Sequence, residues 1–103
     1  MMSENPMGIF SVSMLNETIR SLLVNDPRLR EVWVRGEISN LKKHSSGHYY
    51  FTLKDRGSQI SCVSFRQTNR SLKFDPEDSM SVILYASVDV YTVRGQYQLK
   101  VLD

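Results

Sequence analysis

Met80, Val82, Leu84, Ala86, Val88 and Val90 put an apolar side chain at every second position without a break. A helix cannot bury that pattern along one side, because its faces recur every 3.6 residues. A strand can, because it sends successive side chains to opposite faces. Val32, Val34 and Ile38 keep the same period, with Gly36 in phase, and Tyr49, Phe51 and Leu53 repeat it. From residue 32 onward the chain therefore reads as β structure with one apolar side.

Turn residues divide this region into strands. The first runs from Val32 to Ser39, with Trp33, Arg35, Glu37 and Ser39 on its polar side. Gly36 inside it suggests a sharp bend or bulge, as a small barrel needs to close. A basic, polar loop from Asn40 to Gly47 follows, with Lys42, Lys43 and His44 at its crest. The second strand covers His48 to Lys54, and Asp55-Arg56-Gly57-Ser58 is a hairpin turn. The third covers Gln59 to Phe65. Arg66 to Phe74 reads as a short helix or connector, closed by Asp75-Pro76. The fourth strand is the long alternating run, and Val93-Arg94-Gly95-Gln96 turns it into a fifth from Tyr97 to Leu102.

Ahead of the strands, residues 1–8 form an expected flexible lead-in with Pro6 and Gly8. Leu15, Ile19, Leu22 and Leu23 then fall on one face of a helix. Ser13 is its expected N-cap and Asn25-Asp26-Pro27 its stop. That apolar stripe is read as a packing face. The expected class is thus mainly β, a five-stranded OB-fold barrel with an N-terminal helix and a short helix or connector between strands three and four. At 103 residues the chain suits one such domain over 9–103. It ends directly after the fifth strand, which suggests a fragment of a longer chain.

Composition narrows the function. No apolar run approaches the ~20 residues of a membrane span, and no apolar leader opens the chain, so a cytoplasmic protein without a membrane partner is expected. The net charge of +2 hides a segregation. Eight of the 13 basic residues lie between Arg35 and Lys73, against two of the 11 acids, which leaves that segment at +6 and the rest at −4. Such a field points to an anionic partner. Catalysis finds no support: the acids are scattered, and no nucleophile, Walker or paired-cysteine motif occurs. Cys62 is alone in an apolar strand, which reads as a core residue. His44 and His48 are separated by Ser45-Ser46-Gly47, with no third ligand nearby, so no metal and no cofactor are expected.

Interleaved aromatic and cationic side chains fit single-stranded nucleic acid, which needs rings for its bases and charges for its phosphates. If Phe51 and Leu53 face inward, His48, Tyr50, Thr52 and Lys54 face out, and Trp33 and Arg35 join them. The candidate interface is Tyr50 and Trp33 for stacking, with Arg35, Lys42, Lys43, Lys54, Arg66 and Arg94 for phosphates. Asn40, His44 and His48 are polar helpers. The alternatives are that Trp33 and Tyr50 cover the barrel bottom or pack beneath the N-terminal helix, and that Lys42 and Lys43 lie in a merely exposed loop.

Ile9-Phe10-Ser11-Val12-Ser13-Met14-Leu15-Asn16, Gly36-Glu37-Ile38-Ser39-Asn40, Ser46-Gly47-His48, Tyr50-Phe51-Thr52-Leu53-Lys54-Asp55, Arg94-Gly95 and Tyr97-Gln98 follow one another in order. Together they resemble the start of the large subunit of bacterial exonuclease VII. The resemblance implies an N-terminal OB-fold that binds single-stranded DNA ahead of a separate catalytic domain. It also implies an enzyme that degrades single-stranded DNA from both ends into oligonucleotides, in complex with several copies of a small helical subunit. The family's catalytic residues lie beyond this chain, so none is carried over. Ser79 stands where the family usually has glycine, and Val93 where it usually has proline. An RNA-binding OB module and a protein-docking domain of the nuclease complex are the alternatives.

Overall fold

The computed structural model describes residues 8–103. Apart from Gly8, the lead-in expected over residues 1–8 lies outside the described residues. The elements are α1 (Val12–Val24), α2 (Pro27–Arg30), β1 (Val32–Lys43), β2 (Tyr49–Lys54), β3 (Gln59–Ser64), α3 (Arg66–Asn69), β4 (Ser81–Tyr91) and β5 (Gln96–Val101). The strands close into a barrel in the order β1-β2-β3-β5-β4, with every pairing antiparallel except β3 with β5. This is the five-stranded architecture expected from the alternation.

One strand serves two neighbours. β1 pairs with β4 from Val32 to Glu37 and with β2 from Glu37 onward. Gly36, opposite Val82, sits just before the handover, where a Cβ would stand 2.7 Å from Leu53 Cγ and 3.0 Å from the Lys54 carbonyl oxygen. The glycine is therefore required by close approach, and the bulge expected there lies elsewhere. The register of β1 on β2 shifts between Ser39 and Lys42. Asn40 takes a φ of 54° at that point, and the Leu41 N–H donates to Asp78 Oδ1 at 2.9 Å. The extra residue breaks the period of two, so pattern alone ended the strand at Ser39. It actually continues to Lys43, and the connecting loop is correspondingly shorter.

Inside the barrel, Ile38, Phe51, Leu53, Cys62, Leu84, Ala86, Leu99 and Val101 form the core. These are the inward positions of the alternation, and burial pushes the Cys62 thiol up to about 12. The helix begins earlier than expected: Ser11, not Ser13, is the N-cap, its Oγ accepting from the Met14 N–H at 3.1 Å. α1 stops at Val24 with Asn25 as its C-cap, at the expected Asn25-Asp26-Pro27 stop, and Pro27 then opens α2 at its first turn, where its missing N–H costs no bond. α1 lies along the end of β4, held by polar anchors. Asn16 Nδ2 donates to the Thr92 carbonyl at 2.9 Å, and Arg20 Nε pairs with Asp89 Oδ1 at 3.0 Å. No residue of α1 is buried, so its apolar stripe is only partly covered.

Ser79 enters β4 with a φ of 71°, donating its N–H to the Ile38 carbonyl at 2.7 Å. A side chain in that left-handed region costs about 1–2 kcal/mol, which accounts for a preference for glycine there. Ser79→Gly is expected to gain ~0.5–1 kcal/mol after the added freedom of its unfolded chain, raising the melting midpoint by roughly 2–8 °C. Thermal denaturation followed by circular dichroism reads this directly. An unchanged or lower midpoint would show that serine carries no strain at this turn.

Candidate nucleic-acid interface

Residues directly opposite one another in a sheet share a face, so the pairings define the outer surface of β1, β2 and β3 as three rows. Glu37, Lys54 and Gln59 form one, and Ser39, Thr52 and Ser61 the next. Lys42, Tyr50 and Val63 form the third, at the hairpin end. Tyr50 is exposed there, and His44 meets its ring edge-on at 6.5 Å between centroids. Lys42 is a strand residue beside that ring, not the tip of a loop.

Lys43 points elsewhere. Its Nζ pairs with Asp75 Oδ1 at 2.6 Å and lies 5.4 Å from the Tyr49 ring centre. The bond to Asp75 holds its ammonium above the ordinary lysine range. By contrast, among the described residues no carboxylate lies within ion-pair distance of Arg35, Lys42, Lys54, Arg66 or Arg94. Among the described residues these five cations therefore make no ion pair.

Trp33 is 70% exposed, so it is not packed beneath the barrel or under α1. Its ring leans on Tyr85 at 4.7 Å between centroids, and the Tyr85 hydroxyl donates to Glu31. Trp33 and Lys42 are nine positions apart on β1, about 30 Å at strand rise. Trp33, Arg35, Lys54 and Tyr50 are therefore strung along the face and do not form one cluster. Between them lies a cleft where β1 leaves β2, lined by Arg35, Lys54, Ser58 and Tyr97 among others. Tyr97 and Gln59 continue it into a depression beside Gly95, in the β4–β5 turn that carries Arg94. Arg94 and His44 mark opposite ends of this surface. Asn40 is exposed at the register shift.

The short loop between β1 and β2 is fixed from below. Gly47 has a φ of 94°, and a Cβ there would stand 2.8 Å from Arg66 Cγ, so the Arg66 stem crosses directly over it. His48 is half-buried: its Nδ1 accepts from the Arg66 N–H at 3.0 Å, and its ring meets Phe65 edge-on. That makes His48 a brace for the loop. Asn69 completes the brace, donating from Nδ2 to the carbonyls of Gly47 at 2.7 Å and Ser64 at 2.9 Å, while Ser64 Oγ donates to its Oδ1.

Sequence reasoning missed Tyr97, Asn69, Phe65 and Lys100 here. Tyr97 shares a phase with Leu99 and Val101, which marks it as inward, yet it is 61% exposed at the barrel mouth. Among the described residues no three His, Cys, Asp or Glu side chains converge as metal ligands, and no helix is long and apolar enough to cross a membrane.

A family model described as an OB-fold nucleic acid binding domain matches residues 10–103. The chain is 50% identical over 91 residues to the exodeoxyribonuclease 7 large subunit of Pasteurella multocida (strain Pm70). It is 52% identical over 91 residues to that of Geotalea uraniireducens (strain Rf4). Each match takes in 88% of this chain and 20% of the relative, so the chain spans about a fifth of those proteins. Among solved structures, a replication protein A heterotrimer bound to single-stranded DNA superimposes with a TM-score of 0.56. It covers 72% of this chain and 54% of that one at 9% identity, a likeness of fold.

Asn69→Ala removes the donor to Gly47 and leaves buried groups unpaired, which typically costs about 1–3 kcal/mol. Amide exchange at residues 44–48 is expected to accelerate well beyond that of β4 and β5 in this variant. Uniform acceleration across the barrel would instead make Asn69 a general stability residue with no special hold on the loop.

Proposed function

The chain belongs to the OB-fold nucleic acid binding domain family, and from that premise we propose that it captures single-stranded DNA for a larger exonuclease, without cutting it. The observation that carries this reading is the outer face of β1 and β2, where exposed rings share the surface with cations that make no ion pair among the described residues. Tyr50 and Trp33 offer stacking surfaces, and stacking contributes about 1–3 kcal/mol per base whatever the base. Arg35, Lys42, Lys54, Arg66 and Arg94 meet phosphates, and His44 and Asn40 supply polar contacts at the hairpin end. Lys43 serves mainly to hold the hairpin against Asp75. A nuclease that accepts every sequence needs no base-specific readout, and stacking serves every base.

In the relatives the remaining four-fifths of the chain would carry the cutting chemistry, and a small subunit would complete the assembly. A second reading, docking onto another protein surface, is favoured by α1, whose Val12 and Leu22 are largely exposed beside the barrel. The two readings use different faces and are compatible.

Fluorescence anisotropy of labelled single-stranded DNA, duplex DNA and RNA across a range of salt tests the proposal. Preferred, salt-sensitive binding of single-stranded DNA without cleavage is expected. A strong preference for RNA would replace it with an RNA-binding module, and no binding at all would leave docking. Lys42→Ala is expected to flatten the salt slope by about 0.7, one phosphate on a single strand. Lys43→Ala should change it less, because Asp75 already occupies that ammonium. Equal losses would show that the Lys43–Asp75 pair opens to take DNA.

A further inference from the structure

The row at the hairpin end does not stop at β3. Val63 lies opposite both Tyr50 of β2 and Lys100 of β5, so Lys42, Tyr50, Val63 and Lys100 cross four strands on one face. Measured over the curved barrel surface at the usual strand spacing, the path from one lysine to the other is about 14 Å. Val63 is buried on this outer face although it is not part of the interior cluster, so neighbouring side chains close over it between the two cations. Beyond it a pocket opens, lined by His48, Phe65, Arg66, Gln67, Thr68 and Lys100.

That pocket holds the groups a nucleotide requires. Phe65 is 38% exposed and meets His48 in a T-shaped contact beside the pocket. The Lys100 ammonium lies over the ring, 5.7 Å from its centre. Among the described residues neither Lys100 nor Arg66 has a carboxylate partner. Cation–π attraction is worth only about 0.5–1 kcal/mol at an exposed site, so a phosphate can draw Lys100 off the ring and free the ring for a base.

We propose that Phe65, Arg66 and Lys100 form a further nucleotide subsite on the β3–β5 side of the barrel, in which Phe65 stacks a base and the two cations hold its phosphates. The inference rests on the single-stranded DNA reading above. A bound strand would then leave the β1–β2 face at Tyr50 and turn across Val63 to β5, in addition to running toward Arg94. The connector after β3 thereby serves binding as well as bracing.

Oligodeoxythymidines of about 4 and about 15 nucleotides, the ends of the range for one OB barrel, separate the outcomes. Phe65→Leu keeps the apolar volume and Lys100→Gln keeps the side-chain length, so both preserve packing, which circular dichroism checks. Phe65→Leu is expected to weaken the long oligonucleotide about tenfold with an unchanged salt slope. Lys100→Gln is expected to flatten that slope by about 0.7, and neither variant should change binding of the short one. If Tyr50→Ala weakens both oligonucleotides while the Phe65 and Lys100 variants change neither, the subsite is overturned and the binding reading stands. If the unaltered chain binds neither oligonucleotide, the binding reading falls and the subsite with it.

Discussion

Everything in this fold depends on one strand changing partners. β1 must leave β4 and join β2 within a few residues, or the sheet stays open and its edges remain unpaired. The change is possible because Gly36 brings the backbone against Leu53 and Lys54, closer than any side chain would allow. Four residues on, the shift at Asn40 and Leu41 re-aims the strand so that Leu41 faces the core and Lys42 faces out. The same irregularity that closes the barrel therefore decides which lysine is free.

The division of labour among the charges follows from that geometry. Lys42 and Lys43 are neighbours in sequence but lie on opposite sides of the strand, and only Lys43 finds an acid. The hairpin is thus held by one lysine and presented by the other. His48, Arg66 and Asn69 do comparable work from below, adding to the loop's own bonds, in which the His44 N–H donates to the His48 carbonyl and the Gly47 N–H to the His44 carbonyl, each at 2.9 Å. A preformed surface loses less ordering entropy when a flexible ligand arrives.

How much of this was legible in the sequence depended on period. Wherever alternation was uninterrupted, as in β2, β3 and β4, both the strands and their inward residues could be read. Where one residue was inserted, at Asn40, the pattern lost phase, and the four strand residues from Asn40 to Lys43 looked like a loop. Alternation states which side a residue faces, not whether the barrel has a rim at that height, so the exposure of Tyr97 carries no signal in the sequence. Phe65 and Lys100 carried no signal, because their meeting depends on the parallel pairing of β3 with β5 across a long connection. Trp33 could be placed on the outer side by phase, but only the fold shows its ring resting on Tyr85. The site residues were visible as types and faces, and their grouping was not.

The closure of the barrel has a mechanical side. β3 and β5 meet over only two residue pairs, Cys62 with Leu99 and Val63 with Lys100, whereas every other pairing is longer. Parallel pairs are also slightly weaker per residue than antiparallel ones. The barrel is thus a staved vessel with one short seam, and local opening should begin there. Tyr50 stands on one side of that seam and Lys100 on the other. A ligand spanning them would work as a hoop, tightening the vessel by occupying it.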